Sequence, residues 1–414
     1  MDLLDGGGHH CNDLRGFYYA VGNHAVPITM LESDTTDVAL LASGDVRNLL
    51  RAVEECATRD NTKELNVLMN DISVSVTARN IALLALIHRC YRQSVEAGKN
   101  TDEALRVASG AFFSVQFELL LCKQHSQWLD DTLRELIEAT SLSHVLPFVS
   151  LVDDAVLPKL KTVWSAWLHR RINDWEIPRT YSRRFLQVRQ RGLQAQMIGA
   201  GSMIDGNISA AQMTDLRRRR QECFKNRVEM SMFTHRHLFY TRDSPVEIEF
   251  FFRHGVLKRK GQSAMRMRAI CDIEMSGKLL TQVNASMFDG LPPTPMRPED
   301  VRRFSLHYGT LPMHWLSPGA VKEADIVRAD QSHLETLLRR CAAFVRHVTH
   351  VQQQHRLHVA FDVGSVLTVS QRTQRRFDFV DTTNVCDHVG TLALVAATQS
   401  LLRDGARMLV TSFM

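Results

Sequence analysis

The 414-residue chain has no CxxC pair and no cysteine–histidine array at zinc-binding spacing. Its eight cysteines, at positions 11, 56, 90, 122, 223, 271, 341 and 386, stand singly and far apart. Such thiols build neither a disulfide framework nor a zinc module, so a reduced intracellular protein without a structural metal is expected. No window approaches 18 uninterrupted apolar residues, and the N-terminus "MDLLDGGGHHCNDLRG" is acidic and glycine-rich where a secretory leader would be basic and then apolar. Neither secretion nor membrane spanning is therefore expected, and the localisation read from the sequence is cytoplasmic. Internal repeats and low-complexity tracts are lacking. A formal net charge of +5 on 50 basic and 45 acidic side chains is too mild to argue for a nucleic-acid partner unless the charge is clustered.

What is present is a globular composition, 44% hydrophobic and 23% charged, on a chain long enough for one large core or two smaller ones. "VALLASGDVRNLLRAV" (Val38 to Val53) reads as a short buried strand that breaks at Gly44 and turns into a helix with Leu49, Leu50 and Val53 on one face. A second strand–helix unit follows, with a strand at Leu65 to Met69, a turn at Asn70 and Asp71, and a helix from about Ile72 to Arg89. Two such units with continuously apolar strands predict a parallel sheet covered on both faces. Residues from about 97 to 175 carry helical periodicity, and residues 180 to 310 are mixed. After a helix in "QSHLETLLRRCAAFVRHVTHVQQQ", three more strands are predicted in "LHVAFDV", "RFDFV" and "ARMLV". The economical architecture is an α/β fold with one doubly wound parallel sheet, begun by residues 1–90, split by a long, mostly helical insertion at 91–355, and completed by 356–414.

In such a sheet ligands sit beyond the carboxyl ends of the strands, which selects the junctions Ser43 to Arg47, Asn70 to Ile72, Asp362 to Ser365 and Asp381 to Asp387. Gly44 permits a tight turn, and the helix N-terminus behind it offers free N–H groups. Asp71 lies 26 residues after Asp45, at the end of the second strand, where a carboxylate would accept hydrogen bonds from ribose hydroxyls. Each feature also has a purely structural explanation. Asp45 is a good N-cap without any ligand, Asx residues favour turns at strand ends, and Thr383 or Asn384 would cap the next helix. Asp387 and His388 are adjacent on that helix, about 100° apart, which disfavours a dyad made by these two alone. Cys386 reads as a packed thiol. Arg217 to Arg220 spread around a helix and read as a solvated or partner-docking surface rather than a nucleic-acid stripe. His347 and His350 are spaced to share a metal but lack a further ligand on the same face, so no metal is expected.

Four segments, "GFYYAVGNHAVPIT" (16–29), "LLASGDVRNLLRAV" (40–53), "LMNDISVSVTARNIALLALI" (68–87) and "FDFVDTTNVCDHVGTLALV" (377–395), resemble an uncharacterised domain. That domain is shared by dynein axonemal assembly factor 3 and by fungal and animal proteins, some with MYND zinc fingers. The family pattern falls here on Gly44, Asp45, Arg47 and Asn48, on Asn70, Asp71, Ala78, Arg79 and Asn80, and on Asp381, Thr382, Asn384, Asp387, His388 and Gly390. The resemblance implies a fold like that of class I methyltransferases, which bind S-adenosylmethionine at these strand ends. Ala42 stands where the family has its first loop glycine, and Ser365 where a Gly-Asp pair would supply an adenine-contacting acid. No acceptor-activating Asn-Pro-Pro-Tyr loop is present.

The expectation is thus a non-catalytic cytoplasmic assembly or scaffold factor with a degenerate methyltransferase-like fold, without a cofactor or catalytic residues, acting on protein partners such as dynein subunits or chaperones. Its rival is an active S-adenosylmethionine-dependent methyltransferase with Gly44, Asp45, Asp71 and Asp381 at the cofactor. A third reading, an RNA-associated protein, would work through Arg217 to Arg220.

Overall fold

Val38, Ala39, Leu40 and Leu41 have no exposed surface on either side of their strand, as a central strand buried on both faces requires. They form β1 (Asp37–Leu41) in a computed structural model that describes residues 35–58, 63–118, 120–169, 281–287, 333–383 and 385–410. After β1 come α1 (Arg47–Thr58), β2 (Leu65–Asp71), α2 (Val74–Glu96) and α3 (Thr101–Phe117). Then follow β3 (Leu120–Cys122), α4 (Lys123–Glu138), α5 (Leu142–Val145), β4 (Val149–Leu151), α6 (Leu157–His169) and β5 (Thr281–Val283). The last described stretch holds α7 (His333–Gln353), β6 (Leu357–Val363), α8 (Val369–Arg372), β7 (Phe377–Asp381), α9 (Cys386–Val389), α10 (Thr391–Thr398) and β8 (Leu402–Leu409).

Six strands make one sheet in the order β4-β6-β2-β1-β7-β8, and every pairing in it is parallel. β1 lies between β2, with Leu41 opposite Asn70, and β7, with Leu40 opposite Asp381. β2 pairs along its whole length with β6, from Leu65 opposite Leu357 to Asp71 opposite Val363. Segments almost 300 residues apart are thus neighbours in one layer, as the strand pattern predicts. Alternation along the strands sends Val38, Leu40, Val67 and Met69 to a large core under α1 and α2, with α3 and α7 packed outside them. Ala39, Leu41 and Leu68 point the other way, onto Val366, Val369 and Leu394 of the elements after β6.

Four details depart from the sequence reading. β4 comes from within the span 91–355, so that span contributes an edge strand to the main sheet as well as helices; a three-residue strand beside a proline carries no readable period. β3 and β5 form a separate antiparallel pair. β8 starts at Leu402, ahead of Gly405, whose φ of +78° accompanies an irregular register against β7. The helix predicted to end near Arg89 continues to Glu96, because nothing in "CYRQSVE" breaks it before Gly98 at φ +79°. No described helix is long and apolar enough to cross a membrane.

Candidate functional site

The chain leaves β1 toward β2 on one side, and after β6 it crosses to β7 on the other. The strand order therefore reverses between β1 and β7, where a doubly wound sheet opens a crevice beyond its carboxyl ends. Here that edge carries a belt of polar side chains running from α8 to the end of β7.

At the β6 end, Asp362 is buried and accepts two hydrogen bonds from Arg372, from Nε at 2.8 Å and Nη2 at 2.7 Å. Asn70 donates from Nδ2 to the same carboxylate at 2.8 Å and to the Gly364 carbonyl at 2.9 Å, while its backbone carbonyl oxygen accepts from Ser43 N–H at 3.0 Å. Asp71 accepts from Gly44 N–H at 3.1 Å and from Ser73 N–H at 2.8 Å. Asn80, reaching over from α2, donates to the Gly44 carbonyl at 2.6 Å. The β1–α1 loop is thereby held from both sides by the strand and helix that follow it.

On the α1 side Asp45 accepts from Arg47 twice, from the backbone N–H at 3.1 Å and from Nε at 2.6 Å, with both side chains almost fully enclosed. This satisfies one of the open N–H groups at the start of α1, the capping function its position predicts. Asn48 donates to Asp381 at 2.7 Å, and Thr383 N–H donates to the other Asp381 oxygen at 2.9 Å. Thr383 Oγ1 in turn donates to the Ala42 carbonyl at 3.1 Å.

Two electrostatic features stand out. Burial pushes Asp381 up to about 6, against the opposing pull of the Thr383 N–H and the Arg47 charge. Burial likewise raises Asp71 to about 6, although its N–H donors favour the charged form. Asp71 remains half-buried as a residue; it is its carboxylate that turns inward onto the amides. The backbone is strained at the same place: Ala42 and Thr383 both sit at φ +49°, the left-handed region, next to Gly44 at φ +60°. Three buried oxygens, Ser43 Oγ, Asn48 Oδ1 and Asn80 Oδ1, have no hydrogen-bond partner, whereas the position a Gly44 side chain would take is open space.

The structure thus brings Gly44, Asp45, Arg47, Asn48, Asn70, Asp71, Asn80 and Asp381 to one edge. Arg79 is elsewhere. It is buried behind α2 and donates to the Val115 and Gln116 carbonyls at 3.0 and 2.9 Å and to the Ser286 carbonyl at 2.8 Å, tying α2 to the end of α3 and to residues 281–287. Asp387 is half-buried and His388 exposed on α9. Asn384 and Arg217 to Arg220 lie outside the described residues. Arg372 escaped the sequence reading: it is ten residues beyond Asp362, across a turn that no spacing rule connects.

Residues 14–114 match a family described as a domain of unknown function, DUF4470. No curated protein and no solved structure matches the chain. Among the described elements, the DUF4470 match takes in β1, α1, β2, α2 and most of α3, hence the loop at Gly44, the Asp71 turn and Asn80. The partners Asp362, Arg372, Asp381 and Thr383 come from outside it, so the belt is closed by the C-terminal part of the chain.

Proposed function

We propose that this protein is a non-catalytic assembly or scaffold factor built on a methyltransferase-like sheet, of the kind exemplified by dynein axonemal assembly factor 3, with protein partners such as dynein subunits or their chaperones. One observation carries the non-catalytic half of this reading: the groups that a nucleotide-type cofactor would need are already bonded to one another. Asp71, the carboxylate placed for ribose hydroxyls, is held by the amide of the very glycine over which a cofactor would lie. Asp45 is closed by Arg47, and Asp381 by Asn48 and Thr383. Ala42 adds a methyl group where the resembled family has a glycine. Residues fastened in this way are poorly placed to hold S-adenosylmethionine, which supports the non-catalytic reading. The assembly half rests on the resemblance of the segments at 40–53, 68–87 and 377–395.

Titration of the full chain with S-adenosylmethionine tests the first half. A cofactor present at about 1,000 times its dissociation constant would stabilise the fold by about 4 kcal/mol, readily seen as a rise in Tm. The expected result is no heat of binding and no thermal shift at millimolar cofactor. Micromolar binding that Asp71→Ala abolishes would establish the rival reading, an active methyltransferase, which the unpartnered oxygens of Ser43, Asn48 and Asn80 favour. For the second half, immunoprecipitation of the full chain from cells that build motile cilia is expected to recover dynein subunits or chaperones. Their absence would remove the assembly reading without touching the cofactor result.

A further inference from the structure

β8 closes one side of the main sheet, and among the described residues no strand pairs with its outer edge. From Arg407 to Leu409 it keeps regular register with β7, and the Leu409 carbonyl accepts from Thr382 N–H at 3.0 Å. Successive backbone groups alternate between the two sides of a strand, so the N–H and C=O of Met408 point outward, away from β7. α10 lies over this strand: Thr398 Oγ1 donates to Met408 Sδ at 3.4 Å, and Leu394 belongs to the core on that face. The outer side of α10 is apolar as well. Leu392 is 87% exposed and Val395 39%, with Ala393 and Ala396 exposed beside them. Leu367 is exposed on the adjoining turn Val366–Thr368, which packs against α10. No charged side chain occurs between His388 and Arg403. A helix that is apolar on every side is one that is covered on every side.

We propose that this border is where two copies of the protein associate, about a twofold axis perpendicular to the sheet, β8 pairing antiparallel with β8 of the second copy and the two α10 helices meeting on one face. Two unlike features lie open on the same border, a row of backbone groups and an apolar helix. An added peptide strand satisfies the first and leaves Leu392 in water. A docked helix covers Leu392 and leaves the Met408 groups unpaired. A second copy brings both, already held in the same relative position, so one rotation matches strand to strand and helix to helix. The irregularity at Gly405, with φ +78°, confines the pairing to the residues after it. With Met408 set against its own equivalent, Arg407 faces Leu409 of the second copy, so no like charges meet across the strands. The uncharged α10 likewise buries no charge at the contact.

Sedimentation velocity of the full chain across the micromolar range, with hydrogen exchange on the same samples, tests this. A concentration-dependent equilibrium between monomer and dimer is expected, with the Met408 amide protected in the dimer and that protection lost on dilution. Leu392→Glu alters a side chain that touches little of its own chain, and a twofold contact carries the change twice. It is expected to weaken association about tenfold or more. Val95→Glu replaces another exposed apolar residue, at the end of α2, and is expected to leave association unchanged. The proposal is overturned by a monomer throughout the range, by assemblies that grow beyond a dimer, or by a dimer whose Met408 amide exchanges as fast as in the monomer. It is equally overturned if Leu392→Glu associates normally or if Val95→Glu weakens association as much.

Discussion

Asp381→Asn should make this protein more stable, and only above a definite pH. The carboxyl of Asp381 titrates near 6 in the folded protein against 3.8 in an exposed chain, because it is buried with Asn48 and Thr383 as hydrogen-bond donors and only Arg47 as a nearby positive charge. A difference of about two pH units corresponds to roughly 3 kcal/mol. The direction follows from the raised folded value. At pH 8 the group is ionised in both states and the folded state carries the full penalty. As the pH falls through 6 the folded protein takes up the proton first and gains stability; below about 3.8 both states are protonated and the gain is complete.

The amide substitution removes this titration at little steric cost. Its oxygen still accepts from Thr383 N–H, and its new N–H₂ meets Asn48, whose carbonyl oxygen has no partner at present and becomes an acceptor on rotation of that amide. Urea unfolding of both proteins at pH 8, 6 and 4.5 reads the effect. The variant should be more stable by up to about 3 kcal/mol at pH 8, with the advantage shrinking to about 1 kcal/mol at pH 4.5. A difference that does not vary with pH, or a variant that loses ground as the pH rises, refutes the account of a buried and under-compensated carboxylate.

Two further outcomes follow from individual contacts. Arg79→Met leaves the carbonyls of Val115, Gln116 and Ser286 without their donor inside the core, so its urea midpoint should fall by the equivalent of about 3–5 kcal/mol, with faster amide exchange in residues 281–287; a loss under 1 kcal/mol would deny Arg79 its anchoring function. Gly364→Ala brings a methyl group to 2.7 Å from Arg372 Cζ, and that guanidinium is pinned by Asp362 and by Thr368 Oγ1 at 2.6 Å, so a destabilisation of about 1–3 kcal/mol is expected by thermal melting, and a neutral result would mean that the pinning is weak.

The sheet was legible in the sequence because its central strands are largely buried: "VALL" is a continuous apolar run, and "LNVLM", "LHVAFDV" and "RFDFV" are short, mostly apolar segments that end near turn residues. β4 was not legible, since Val149–Leu151 is too short to show a period and owes its place to β6 alone. At the belt, Gly44, Asp45, Asp71 and Asp381 stood out because each ends a strand or starts a helix. Which of the singled-out residues bond to one another was not legible, because side-chain pairs such as Asn48 with Asp381 or Asn70 with Asp362 join positions some 300 residues apart, and only the strand register brings them together. Arg79 shows the converse: it lies one residue before Asn80 in the same motif, yet a helix turns successive residues about 100° apart, so one faces the α3 terminus and the other the Gly44 loop.

The turn after β1 places Ala42, as well as Gly44, in the left-handed region. A left-handed residue with a side chain costs about 1–2 kcal/mol relative to glycine, and a β-branched one such as Thr383 is rarer still. Both persist here, stapled to each other by the Thr383 hydroxyl on the Ala42 carbonyl and flanked by the β1–β7 pairing. The strained turn is thus braced by the sheet around it.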